Sequence, residues 1–362
     1  MKKKKLAICI TIYEKGGQSV LIEEIHKLMK DEYEMHIICE KCTRDVDPVF
    51  KIIETKAWVN RYIPVLTKEI VPLLKQYDVI HCYDSISYMF AAAKSKKPFV
   101  VTTVGNPPYW VRGTLKGAID AILSNIIYQW GYNKAHVIVA FSKYLKIWMK
   151  KRYNKKSVLL DLGVNREIFK PISKKEFIDL VKGSPQLLYV GQISEKKGCD
   201  ELLYGMHKLK DIYPKFTLQI IGFGEDYYLK KFKDQISKYK LEKNIDLVGY
   251  LDSKEINKYY NACDVFITPS RWEGFGLPIL EAMAVGKPCV ALNKFNTKYL
   301  ILDSKAGCVF NNKKDIHKAV IDCIENYEVY SKNAIKFSSA KNFEWHSHAK
   351  GLKRIYKKLL NK

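Results

Sequence analysis

The chain reads as an α/β protein made of two doubly wound halves, each a parallel sheet covered by helices on both faces. Three observations predict this. Short apolar runs closed by turn residues fall at 6–12, 35–39, 78–82, 99–103 and 136–140, then at 187–191, 216–221, 245–248, 264–268 and 288–291. Helix-period segments separate them, and that alternation gives parallel strands joined by crossover helices. The 362 residues exceed what one core usually holds, and the 47% hydrophobic fraction is ample for two; domains of roughly 150–180 residues are expected.

Lys2 to Lys5 followed by an apolar run imitates a secretion signal, but the run stops at Tyr13, before Glu14 and Gly16-Gly17, so it is better read as the first strand. No stretch of about 18 uncharged apolar residues appears elsewhere, so no transmembrane helix is expected. Nine cysteines lie mostly in apolar contexts, which points to a reducing cytosol. Cys39 and Cys42 form a CxxC with no second pair at zinc spacing. Periodicity is lost between Arg166 and Gln186, where Pro171, Gly183 and Pro185 fall. The interdomain connection is therefore placed at 169–186, between domains 1–168 and 187–335, with the two halves expected to face across a cleft. The remainder, 336–362, carries a terminal helix from about Trp345, with Ala349, Leu352, Ile355, Tyr356, Leu359 and Leu360 on one face.

The run from Arg271 to Pro288, RWEGFGLPILEAMAVGKP, is the most informative. A buried strand, Asp264 to Thr268, precedes it. Gly274, Phe275, Gly276 and Leu277 lead into a helix whose first turn holds Pro278 and Glu281, and glycine lets backbone approach a ligand closely. Free amides and the positive dipole end then face the loop and favour an anion such as a diphosphate. Glu273 and Glu281 stand at its rim, and ionised carboxylates accept the hydrogen bonds that sugar hydroxyls donate. No aspartate pair or His/Cys cluster has metal-ligand spacing.

This pattern resembles the E-x7-E signature of retaining glycosyltransferases with the GT-B fold, family 4 of the sequence-based classification. The likeness covers nearly the whole chain. Leu188 to Ile193 with Lys197-Gly198, Leu218 to Gly224, Leu247 to Tyr250, Gly16-Gly17 and Gly163-Val164-Asn165 match further family motifs in order. The resemblance implies that Glu281 holds ribose hydroxyls, Glu273 the sugar hydroxyls and Lys197 the diphosphate, with Gly16 and Gly17 closing over it and Gln192, Gly222 and Tyr250 near the donor. It also implies a GT-B cleft, no metal, no cofactor beyond the nucleoside-diphosphate sugar, and a terminal helix that crosses back to the first domain. Taken singly, Lys197 reads as a solvated loop lysine, Gly16-Gly17 as a tight turn and His81 as a satisfied strand-end histidine.

Two departures stand out. Gln192 occupies a position where the family usually has arginine, so a phosphate cation is missing or supplied by Lys196 or Arg271. Val104 stands where many members carry histidine, and Asn106 is the candidate to take over part of that role as a catalytic residue. His81, Asp84 and Tyr109 are candidates for the acceptor side.

The 62 Lys and Arg against 38 Asp and Glu leave a net charge of +24, more than donor binding requires. Basic residues gather at the amino terminus, from Ser142 to Arg152, and in the terminal helix. With the apolar segment from Leu115 to Trp130, they suggest an anionic membrane surface and a lipid-linked acceptor, for a protein in the cytoplasm or peripheral on the cytoplasmic membrane face. A buried helix beside a solvated basic one explains the same residues. Nucleic acid would also suit the charge, but no recognisable binding module appears and none is expected as partner. The expected activity is retaining hexosyl transfer to a glycan or lipid-linked hydroxyl; a nucleotide-sugar epimerase on the same fold is the rival.

Overall fold

A computed structural model describes residues 3–14, 16–43, 51–55, 67–105 and 115–361. Contacts divide the chain into two compact units, Met1–Gly163 with Glu344–Lys362, and Val164–Phe343.

The first unit contains β1 (Lys4–Tyr13), α1 (Gly17–Met29), β2 (Tyr33–Cys42), β3 (Lys51–Glu54), α2 (Thr67–Leu74), β4 (Val79–Tyr83), α3 (Ile86–Ser95), β5 (Phe99–Thr103), α4 (Leu115–Lys134), β6 (Val137–Ala140), α5 (Lys143–Tyr153) and β7 (Val158–Leu159). All pairings are parallel, in the order β3-β2-β1-β4-β5-β6-β7. The strand order reverses between β1 and β4. Leu6 to Ile10 are buried without a break, as a parallel strand covered on both faces requires. The terminal helix Trp345–Leu360 belongs to this unit and packs on α1, burying Trp345, Ala349, Leu352, Tyr356 and Leu359 of the expected face. Lys353 reaches Glu32 over 2.6 Å at its edge.

The second unit contains β8 (Gln186–Val190), α6 (Cys199–Leu209), β9 (Thr217–Ile221), α7 (Asp226–Lys238), β10 (Ile245–Gly249), α8 (Ser253–Ala262), β11 (Val265–Thr268), α9 (Leu277–Ala284), β12 (Cys289–Leu292), α10 (Phe295–Ser304), β13 (Gly307–Phe310), α11 (Ile316–Glu325) and α12 (Tyr327–Ser338). The terminal helix is then α13. The order β10-β9-β8-β11-β12-β13 is again fully parallel and reverses between β8 and β11. One continuous core joins Leu187, Leu203, Phe216, Val265, Val290 and Val320.

The stretch 169–186, expected as the connection, lies inside the second unit. Ile172 N donates to Asn261 Oδ1 over 2.7 Å, Lys174 pairs with Asp264 at 2.5 Å, and Lys182 N donates to Gln186 Oε1 at 2.9 Å. Its prolines and glycine suppress periodic structure without freeing the segment from packing. The chain passes between units at 163/164 and 343/344 instead. Three strands escaped the sequence pattern, β3, β7 and β13, and each lies at a sheet edge. All nine cysteines are free thiols.

Candidate active site

The loop after β11 reaches α9 through Gly276, whose φ of 100° is left-handed and suits glycine alone without strain. No side chain caps the helix there, and Pro278 sits in the first turn. Ile279 N and Leu280 N turn back to Gly276 O at 3.0 and 3.2 Å, so the dipole end points into the loop. The facing wall is the loop after β8. Gly198 has φ 69°, and a Cβ there would run into the Pro269 carbonyl. Arg271 N donates to Lys196 O over 3.0 Å. Close backbone approach thus fastens these two loops together at the strand-order reversal, where doubly wound sheets bind ligands.

The pocket between them is lined by Gly191, Lys197, Thr268, Ser270, Glu273 and Gly276, among others. Lys197 Nζ lies 2.6 Å from Glu273 Oε2, with both side chains mostly buried. Glu281 lies one turn into α9, outside this lining. Its Oε2 accepts from the Tyr260 hydroxyl at 2.9 Å, and burial pushes its carboxyl up to about 7 against that hydrogen bond.

Arg271, considered as a substitute phosphate cation, is committed elsewhere. Its guanidinium holds Asp200 at 2.8 Å, Glu201 at 3.0 Å and the Glu195 carbonyl at 3.0 Å, which ties the loop to the start of α6. Lys196 and Gln192 are exposed, and the Gln192 carbonyl accepts from the Tyr189 hydroxyl at 2.8 Å. Phe275 and Leu277 turn buried side chains into protein, and Asn296 Nδ2 donates to Phe275 O at 2.7 Å, so what they offer a ligand is limited to backbone. Gly274 is half-buried in the loop. Gly222 follows β9, where a Cβ would collide with the Gly191 carbonyl. Tyr250 follows β10, 52% exposed, its ring centroid 6.4 Å from that of Phe223.

In the first unit, Gly16 caps α1 and exchanges hydrogen bonds with Ser19 at 3.2 and 2.9 Å, with Gly17 exposed as the first helical residue. A Cβ at Gly16 would meet nothing within 4 Å, so packing does not demand glycine there. His81 is corrected from an acceptor-side candidate to a core bridge. It is fully buried, Nδ1 meets the Tyr356 hydroxyl at 2.5 Å, and Nε2 meets Thr102 Oγ1 at 2.7 Å, leaving no nitrogen for a ligand. Burial lowers its pKa to about 3, helped by His348. Asp84 is likewise enclosed. Oδ2 accepts from Thr103 Oγ1, Val104 N and Gly105 N at 2.9, 2.8 and 3.2 Å, and Oδ1 accepts from Tyr132 at 2.6 Å. Its bonds organise the loop after β5. Asn106 and Tyr109 lie outside the described residues.

The glycosyl transferases group 1 family matches residues 172–337 and the glycosyltransferase family 4 domain matches 15–167, together spanning 15 to 337 almost without a gap. The chain belongs to these glycosyltransferases. An uncharacterized glycosyltransferase of Methanocaldococcus jannaschii is 25% identical over 93% of this chain and 90% of its own length. The alpha-monoglucosyldiacylglycerol synthase of Acholeplasma laidlawii is 24% identical over 84% of this chain and 80% of its own. The Anabaena HepE structure in complex with UDP-glucose superposes with a TM-score of 0.78 at 17% identity, covering 98% of this chain and 100% of that one. The fold is GT-B, with both units Rossmann-like.

Within this glycosyltransferase the helix tip and Lys197 both bring positive charge to the pocket. Two polar groups of the pocket region went unread in the sequence. Ser270 looked like a turn residue closing a strand, and Tyr260 lay in a helix with no local sign that it would meet Glu281.

Proposed function

We propose that this glycosyltransferase moves a hexose from a nucleoside-diphosphate sugar to a hydroxyl of a glycan or lipid-linked acceptor, retaining the anomeric configuration and needing no metal ion. The observation that carries the reading is the uncapped tip of α9 at Gly276 sharing one pocket with Lys197 and Glu273. An anion-favouring helix end beside a cation suits a diphosphate, and a carboxylate beside it suits sugar hydroxyls. The likeness to a structure holding UDP-glucose supports a nucleotide-sugar donor. A net charge of +24 and similarity to a diacylglycerol-glucoside synthase support a lipid-linked acceptor at an anionic membrane, on its cytoplasmic face. No helix among the described residues is long and apolar enough to cross a membrane.

The test is a thermal-shift screen of UDP-, GDP- and ADP-sugars, since a ligand of the folded state raises apparent stability by mass action. Transfer by the best donor, with and without EDTA, and NMR of the product anomer then test retention and metal independence. Isomerisation of donor without acceptor would favour an epimerase instead.

A further inference from the structure

Ser270 is 1% exposed, and its Oγ is buried with no hydrogen-bond partner in the protein. Buried hydroxyls are nearly always paired, because a desolvated donor without an acceptor destabilises the fold. Here the unpaired group belongs to a residue that lines the pocket of Lys197, Glu273 and Gly276. Its backbone is fixed on both sides. Gly198 packs against the Pro269 carbonyl, and Arg271 is held through N to Lys196 O at 3.0 Å and through its guanidinium to Asp200 at 2.8 Å. Ser270 therefore stays at the pocket wall. Ser194 Oγ is also buried and unpaired, but Ser194 does not line the pocket.

We infer that the Ser270 hydroxyl donates a hydrogen bond to a phosphoryl oxygen of the bound nucleoside diphosphate, a positioning contact that the two glutamates and the lysine do not supply. The inference rests on the donor reading above. A phosphoryl oxygen fits better than a sugar hydroxyl, because the uncapped helix tip and Lys197 make this pocket attractive to an anion. A hydroxyl donating to a charged oxygen also makes a shorter and stronger bond than one donating to a neutral oxygen.

The experiment compares the full chain with Ser270→Ala and Ser194→Ala by calorimetric titration with UDP, GDP and ADP, and with the matching nucleosides. The ligand-free Tm of Ser270→Ala stays level or rises by about 2 °C, because no protein bond is lost. Its Kd for the diphosphate that wild type binds weakens about tenfold or more, as loss of a bond to a charged group does. Nucleoside binding is unchanged, and Ser194→Ala binds like wild type. A diphosphate Kd within twofold of wild type, an equal loss for the nucleoside, an equal loss in Ser194→Ala, or a ligand-free Tm several degrees lower would each overturn this assignment alone. A wild-type chain that takes up none of the three diphosphates would overturn the donor reading, and the assignment with it.

Discussion

Lys197 Nζ sits 2.6 Å from Glu273 Oε2 inside the pocket that both residues line. Without a ligand each group satisfies the other. On the proposed donor reading, an arriving diphosphate would compete for the ammonium and leave the carboxylate free to accept sugar hydroxyls. Charge on the leaving diphosphate grows in the transition state, so Lys197 matters more there than in the bound ground state. Lys197→Ala is expected to lower kcat by about 10²–10³, the loss seen when one electrostatic donor is removed, with a much smaller change in nucleotide affinity. Steady-state kinetics beside calorimetry separate the two, and an equal loss in both would contradict the role.

The pair formed by Glu281 and Tyr260 gives a pH test. Burial raises the Glu281 carboxyl from 4.5 to about 7, and on the proposed donor reading its ionised form is the stronger acceptor for ribose hydroxyls. Affinity for a nucleoside diphosphate should therefore climb about fivefold to tenfold between pH 6 and 8, as the ionised fraction rises. Glu281→Gln should bind more weakly and lose that climb, which separates the carboxyl from titration of the phosphate itself. The stability effect has the opposite sense. A raised carboxyl pKa favours the fold below 4.5 and weakens it as pH rises through 7.

His81 and His348 give the first unit an acid-sensitive contribution to stability. Burial lowers them to about 3 and about 4, from 6.5. The unfolded chain takes up protons below 6.5 that the folded unit refuses, so stability falls with pH from there toward 4, by about 2 kcal/mol per histidine at pH 5. Asp84, raised to about 6 by burial, works the other way and recovers about 1 kcal/mol over the same span. The histidines outweigh it. Native-state hydrogen exchange at β4 and β5 amides between pH 7 and 5 reads the balance, and His81→Asn should remove about half of the acid-induced loss. A slope unchanged by His81→Asn would mean that the imidazole is not the titrating group.

What the sequence revealed and what it hid divide along a physical line. Strands buried on both faces read as unbroken apolar runs, so β1, β4, β5, β8 and β11 were legible. β3, β7 and β13 are short and at least partly exposed at sheet edges, with no such run to betray them. The meeting of Glu273 and Gly276 at one helix start was legible because it is local to one loop, whereas Glu281, expected at the same rim, lies outside the pocket lining and meets Tyr260. The ties of Arg271 were not legible, since the acids that occupy it lie near residue 200 and meet it only when the start of α6 comes beside the loop after β11. The partner that satisfies His81 was hidden for the same reason, because Tyr356 stands 275 residues further on. Ser270 shows nothing unusual in sequence, and its unpaired state exists only in three dimensions.

The basic surface gives the last test. In α5, Leu145, Met149 and Tyr153 form the buried face, while Lys146, Lys150, Lys151 and Arg152 are exposed. The Trp148 ring packs edge-on to Tyr153 at 5.2 Å, against the core of the unit. Any docking through α5 is therefore electrostatic and does not depend on aromatic insertion. Such binding follows the anionic lipid content and weakens as salt shortens the Debye length. Each surface cation contributes about 1 kcal/mol to attraction, so Lys146→Gln with Lys151→Gln and Arg152→Gln should reduce partitioning onto phosphatidylglycerol vesicles about a hundredfold. Transfer to a water-soluble acceptor analogue should be unaffected, because these side chains lie on the outer face of α5. Co-sedimentation that ignores both lipid charge and the triple variant would remove the membrane from the proposal and leave the excess positive charge without that purpose.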